Sequence, residues 1–223
     1  MSASVRAVIY DMDGTLVDSL PGLEACLNSA INSVFGAQPP RSLRGKIGPR
    51  IREMIVSILG PVGDSEIDRI EAHFRSHYDT EGCLDCAFFP HVEESLQRIH
   101  SAGILQLVVT NKPRIPTQRI AEKLRLSDFI QRFVSPDDAS PRFGSKADAM
   151  SWLLAHERIA ADEAVFIGDS LEDMRAAEAN LVPFYGVSYG YGSHELTGQA
   201  RTVSCLSRVA DLVCDRRHSP NQS

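Results

Sequence analysis

No stretch of this chain is apolar for long enough to cross a bilayer, and its opening residues, MSASVRA, run straight into a strand-like segment. Neither membrane insertion nor secretion is therefore expected, and a cytoplasmic location is the default. Basic excess is missing as well. The 23 Lys and Arg face 29 Asp and Glu, a formal net charge of −6, which offers no general attraction to nucleic acid or to an anionic membrane. Internal repeats and extended low-complexity segments do not occur. The five cysteines, Cys26, Cys83, Cys86, Cys205 and Cys214, are an odd number scattered along the chain and read as ordinary reduced thiols rather than a disulfide framework. Cys83 and Cys86 form a single CxxC, and a structural zinc site there would need further ligands such as His73, His77 or His91. What remains is a chain of 223 residues, 43% of them hydrophobic, enough for one core-forming domain and a modest insertion. The polar tail RRHSPNQS is expected to fray.

The richest segment is VRAVIYDMDGTLVDS, Val5 to Ser19, where an apolar run ends on two aspartates one residue apart. Residues two apart on an extended backbone point to the same side, so Asp11 and Asp13 can address one ligand. Two such anions ~4 Å apart repel by about 4 kcal/mol at an effective dielectric of about 20, so a proton or a cation normally shares the site. Gly14 lets the backbone turn away from the strand end.

Three further polar clusters follow apolar strands or begin helices. Ile104 to Val109 ends on Thr110, Asn111 and Lys112; Ala164 to Gly168 ends on Asp169 and Ser170, with Glu172 and Asp173 just behind. Lys146 follows the turn-rich SPDDASPRFGS and opens a helical pattern through Met150, Leu153 and Leu154. In open parallel sheets the ligand crevice lies outside the carboxyl ends of the strands, near the point where strand order reverses.

These motifs, DMDGT continued by LVDS, then VVTNKP, then Lys146, then GDSLEDMRAA, resemble in order the four signatures of the haloacid dehalogenase superfamily of phosphohydrolases. FFPHVEESLQRIHSAGI and SYGYGSHEL are similar to its phosphoglycolate phosphatase-like branch. The resemblance implies an α/β fold: a Rossmann-like parallel-sheet core over residues 1–16 and 90–223, with a small α-helical cap over 17–89 that closes over the site and selects the substrate. The helical spacing of Leu23, Leu27, Ala30, Ile31 and Val34, of Ile51, Met54, Ile55 and Ile58, and of Ile67, Ile70 and Phe74 fits such a cap. Pro39-Pro40 and Gly60-Pro61 punctuate those helices.

For mechanism the resemblance implies that Asp11 attacks phosphorus to give an aspartyl-phosphate, while Asp13 protonates the leaving oxygen and later deprotonates the attacking water. It implies Mg²⁺ held by Asp11, the backbone carbonyl of Asp13, and Asp169. Thr110 and Lys146, with Gly14 and Asn111, would bind and neutralise the phosphoryl oxygens, and Asp173 would orient a metal water or Lys146. Asp13 argues against halide release, whose enzymes usually lack that residue. A phosphosugar mutase and a non-catalytic phosphate-binding relative stay open as alternatives, as do monomer and homodimer.

The expected substrate is a small phosphomonoester, with a compact acidic metabolite favoured. The loop RSLRGKIGPRIREM carries five basic residues, and Arg50, where related phosphatases have proline, is the candidate for gripping a second anionic group. Trp152 is expected in packing. His91, where relatives often have glycine, reads as a hinge or surface residue, and Gly186, Gly190 and Gly192 as turn glycines.

Overall fold

The computed structural model describes residues 5–37 and 41–215; Pro39, Pro40 and the tail from Arg216 lie outside the described residues. Six strands form one parallel sheet: β1 (Ala7–Tyr10), β4 (Leu105–Val109), β5 (Arg132–Val134), β6 (Ala164–Gly168), β7 (Phe184–Val187) and β8 (Thr202–Val203), in the order β5-β4-β1-β6-β7-β8. The chain thus builds outward from β1 on one side, returns, and builds outward on the other. The order reverses beside β1. Tyr10 lies level with Val108 and Ile167 in its two neighbours, so Asp11, Thr110 and Asp169 all emerge just beyond the same edge.

Side chains of β1 alternate between the faces, as the period of two requires. Val8 and Tyr10 join one apolar cluster, Ala7 and Ile9 the other. The first face is covered by α4 (Val92–Ser101), α5 (Arg114–Lys123) and α8 (Leu206–Asp215), through residues such as Leu96, Ile120 and Val209. The second is covered by α6 (Lys146–Glu157) and α7 (Leu171–Ala179), through Met150, Leu153 and Ala177. Helices on both faces of a parallel sheet make the three-layer α/β arrangement read from the motifs.

Between β1 and β4 the chain forms a two-residue strand β2 (Val17–Asp18), the helices α1 (Leu20–Phe35), α2 (Ile51–Leu59) and α3 (Asp64–Tyr78), and a second short strand β3 (Ala87–Phe88) that pairs antiparallel with β2. This ribbon joins the outgoing and returning chain, and it is too short to leave a periodic signal in sequence. Helix α1 starts with Pro21 in its first turn and buries Leu23, Leu27, Ala30 and Ile31 along one stripe. Helix α3 has Asp64 and Glu66 in its first turn and Arg75 and His77 in its last, matched to the helix dipole. Leu27, Ile55 and Ile70 are fully buried, each contributing roughly 1.5–3 kcal/mol. They belong to the same continuous apolar cluster as the first sheet face.

A candidate active site at the carboxyl ends of the central strands

Asp11 leaves β1 with its N–H donated to the Ile167 carbonyl at 2.8 Å, which fixes the first carboxylate relative to β6. Gly14 follows with φ +86°, and a Cβ there would come within 2.4 Å of Asp169 Oδ2. Only glycine therefore lets this turn approach Asp169 so closely. The Gly14 N–H is engaged by the Val17 carbonyl at 3.0 Å, so it closes the turn rather than facing a ligand.

Lys146, the first residue of α6, is buried and reaches two carboxylates: Asp11 Oδ1 at 2.9 Å and Asp173 Oδ1 at 2.6 Å. Asp173 is fully buried in the first turn of α7, where it forms a capping box with Ser170. Its Oδ2 accepts from the Asp169 N–H at 3.1 Å, the Ser170 N–H at 3.0 Å and the Ser170 hydroxyl at 2.7 Å. One side chain therefore caps a helix and holds the lysine. Asp169 in turn accepts from the Gly192 N–H at 2.9 Å.

Among the described residues, Asp11, Asp169 and Asp173 are the group of carboxylates, histidines or thiols that converges as a metal site would, with oxygens within 4.8 Å of one another. Burial pushes the Asp11 carboxyl well above its usual range; Lys146 opposes this, while Asp173 and Asp169 add to it. Asp169 is pushed up to about 7 by burial and the charge of Asp173, against the pull of the Gly192 N–H. Burial works against the Lys146 ammonium, but Asp11, Asp173 and Glu172 outweigh it and hold its pKa well above the usual lysine value. Three carboxylates against one ammonium leave excess negative charge. A hard divalent cation fits such an all-oxygen donor set, and Asp11 keeps Oδ2 without a protein donor among the described residues. Asp173 is the most heavily engaged of the three, with four donors on its two oxygens, whereas Asp169 Oδ1 has only a long 3.4 Å contact from the Thr15 hydroxyl, which favours Asp11 and Asp169 as ligands.

A cleft of about 380 Å³ opens over Asp11, Asp13 and Thr110 and is walled by α2 and α3. The Asp13 carboxylate stays out of the aspartate group. Its Oδ1 accepts from the Ser19 hydroxyl and its Oδ2 lies 3.2 Å from Lys112 Nζ. The Thr110 hydroxyl oxygen accepts from the Lys112 N–H at 3.1 Å, so its own hydrogen is free to be donated. Asn111 donates to the Gly48 carbonyl at 3.0 Å and to Glu172 at 2.8 Å, tying the α2 loop to the sheet. Arg50 lies on the cleft rim, but its Nη2 donates to the carbonyls of Phe143 and Gly144 at 2.9 and 3.1 Å. This nitrogen fastens one loop to another, while Arg50 as a whole still lines the cleft.

Sequence reasoning left four contacts out. Lys112 and Ser19 on Asp13 are two of them. The others are Tyr189, whose hydroxyl donates to the Thr15 carbonyl at 2.8 Å, and Tyr191, whose hydroxyl donates to Asp18 at 2.6 Å and accepts from the Ser19 and Leu20 N–H groups at 2.8 and 3.0 Å. The lysine inside VVTNKP was the available signal for the first. Gly190 packs against Asp169, where a Cβ would lie 2.2 Å from that side chain, while Gly192 donates its N–H to it. Trp152 is 40% exposed, stacked on His156 and tilted against Phe143, rather than in the core. His91 is exposed at φ 64°, a conformation glycine adopts freely. Cys83 and Cys86 are buried thiols that do not converge with His73 and His77, which stack on each other at 4.5 Å; among the described residues no zinc ligand set forms there.

Comparison with known proteins matches residues 8–187 to the family described as haloacid dehalogenase-like hydrolase. A phosphoglycolate phosphatase of Rhodospirillum rubrum is 30% identical, over 93% of this chain and 89% of that protein. One of Pseudomonas fluorescens is 28% identical, over 97% and 86%. The fold is similar to that of a predicted phosphatase from Clostridium acetobutylicum, with a TM-score of 0.84 at 24% identity, covering 96% of this chain and 100% of that one.

Proposed function

The chain belongs to the haloacid dehalogenase-like hydrolases, and from that premise we propose that it hydrolyses a small phosphomonoester, an acidic one of the phosphoglycolate type, through an aspartyl-phosphate on Asp11. The observation that carries this reading is the convergence of Asp11, Lys146, Asp169 and Asp173 at the ends of β1 and β6 and the starts of α6 and α7. The names of the relatives support the substrate class.

In the first step an Asp11 oxygen forms a bond to phosphorus, the ester P–O bond breaks, and Asp13 gives a proton to the leaving oxygen. In the second, water adds to phosphorus, Asp13 takes its proton, and the Asp11–phosphorus bond breaks to release phosphate. Lys146 neutralises charge beside Asp11 throughout, and the Thr110 hydroxyl donates to a phosphoryl oxygen. Asp173 holds Lys146 in place and is a positioning residue. Mg²⁺ fits Asp11 and Asp169, with the Asp13 backbone carbonyl as a third donor, and when bound it would offset the excess negative charge and polarise the phosphoryl group. Helices α1–α3, entered and left through the β2–β3 ribbon, act as the cap over residues 17–89 that shields the reaction from water. Gly14 and Asn111 shape this site from its edge, and Arg50 serves cap placement.

Hydrolysis of an aryl phosphate tests the reading. Turnover should vanish on chelation, return with Mg²⁺, and be lost in Asp11→Asn. Metal-independent turnover, or full activity in Asp11→Asn, refutes it.

A further inference from the structure

The cations on the cleft walls are mostly held by neighbouring acids. Arg52 pairs with Asp68 and Glu71, Arg75 with Glu71 and Asp79, and Arg142 with Asp137, all at partly exposed positions. Lys112 differs. It lies on the cleft floor with 7% exposure, and its Nζ is 2.6 Å from the Tyr78 hydroxyl and 3.2 Å from Asp13 Oδ2. An ammonium has three N–H groups. Two are engaged by these partners, and the third has no acceptor among the described residues.

Tyr78, at the end of α3, shares this state. Its hydroxyl oxygen accepts from Lys112, so its hydrogen must go elsewhere, and no acceptor for it lies among the described residues. The ring is 2% exposed and stacked on Phe74 at 4.8 Å, so the hydroxyl is held in place. Buried donors without acceptors are unfavourable, and here two stand side by side in the cleft that holds Asp11 and Asp13.

Resting on the phosphatase reading above, we infer that Lys112 and Tyr78 recognise an anionic oxygen on the leaving-group side of the phosphoester, and so select compact esters bearing a carboxylate close to the ester oxygen. Asp13 marks the leaving-group side, since it faces the departing oxygen. Lys112 Nζ is only 3.2 Å from Asp13 Oδ2, so an ester oxygen at Asp13 and an acceptor at Lys112, each at a hydrogen-bond distance of roughly 2.7–3.2 Å, can sit as close together as the ends of a two-carbon acid. A longer acid would overshoot, and an uncharged alcohol would leave the donors empty.

The test is the ratio of kcat/KM for 2-phosphoglycolate to that for ethyl phosphate, measured for the natural protein, Lys112→Met and Tyr78→Phe. The ratio is internal, so partial unfolding or a general loss through Asp13 cancels. The natural protein should favour 2-phosphoglycolate; Lys112→Met should reduce the ratio about 100-fold and Tyr78→Phe about 10-fold, as expected when a polar group is left without its partner. Ratios within about twofold of the natural protein in both variants overturn the inference. If the natural protein hydrolyses both esters equally well, the phosphatase reading stands and this inference alone falls. If it hydrolyses neither, the phosphatase reading fails and takes the inference with it.

Discussion

Asp173→Asn probes how the site holds its lysine. Asp173 is fully buried and engages four donors: Lys146 on one oxygen, and the Asp169 N–H, Ser170 N–H and Ser170 hydroxyl on the other. Asparagine keeps the shape but has one acceptor oxygen and one NH₂ group. If the oxygen stays with the three capping donors, the NH₂ faces the ammonium, and a charge-assisted hydrogen bond of about 1.5–3 kcal/mol is replaced by a donor against a donor. Complete rupture of a buried ion pair costs about 3–5 kcal/mol, but Asp11 still holds Lys146 at 2.9 Å. The expected destabilisation is therefore about 2–3 kcal/mol, read from urea unfolding midpoints. Lys146 loses one of its two anchors, so kcat should fall roughly 10- to 100-fold, since about 1 Å of misplacement is costly in a positioned site. Stability lowered by less than about 1 kcal/mol together with unchanged kcat would refute the claim that Asp173 positions Lys146.

Other perturbations address the turn, the hinge and the metal site. Gly14→Ala combines a φ of +86° with a 2.4 Å approach to Asp169 Oδ2; it should cost about 1–2 kcal/mol of backbone strain and weaken Mg²⁺ activation, and an unchanged Mg²⁺ titration of activity would count against that geometry. Tyr191→Phe removes the oxygen that bonds Asp18, Ser19 and Leu20 at the start of α1. The loss of about 1–3 kcal/mol should lower Tm by a few degrees in a thermal melt, and an unaltered melt would show the hinge does not depend on it. In chelator-treated protein, Asp169 has a folded pKa of about 7, above the value of about 4 for the unfolded chain. Its folded form binds the proton more tightly, so its stabilising contribution is complete below about pH 4 and is lost as pH rises toward 7. Denaturant titrations across that window should show the decline and a smaller one with Mg²⁺; a rise in stability would contradict it.

Much of this architecture was legible one segment at a time. The apolar run before Asp11, the strand ending at Gly168, the helix opening at Lys146 and the three helical stripes after Ser19 are local patterns, and each formed the expected element, with ends within about four residues. The β2–β3 ribbon was not legible, because two-residue strands carry no period. Trp152 does pack, on Phe143 and His156, but at 40% exposure, on the helix side away from the core that Leu153 and Leu154 face. The candidate site residues likewise stood in ordered motifs, and the structure gathers Asp11, Lys146, Asp169 and Asp173 from three of them.

What the sequence determined by itself was therefore which polar groups end strands and open helices, paired carboxylates and a lysine, since these are set by residue type and spacing. Which groups share the cleft was decided only by tertiary structure. Arg50 and Lys112 are both cations beside turns, and although Lys112 stands in a motif, neither one's neighbours say which acceptors it will meet. One is drawn to the carbonyls of Phe143 and Gly144 and the other to Asp13 and Tyr78. Long flexible cations settle on whichever acceptors the fold brings within reach, and those acceptors lie tens of residues away in the chain.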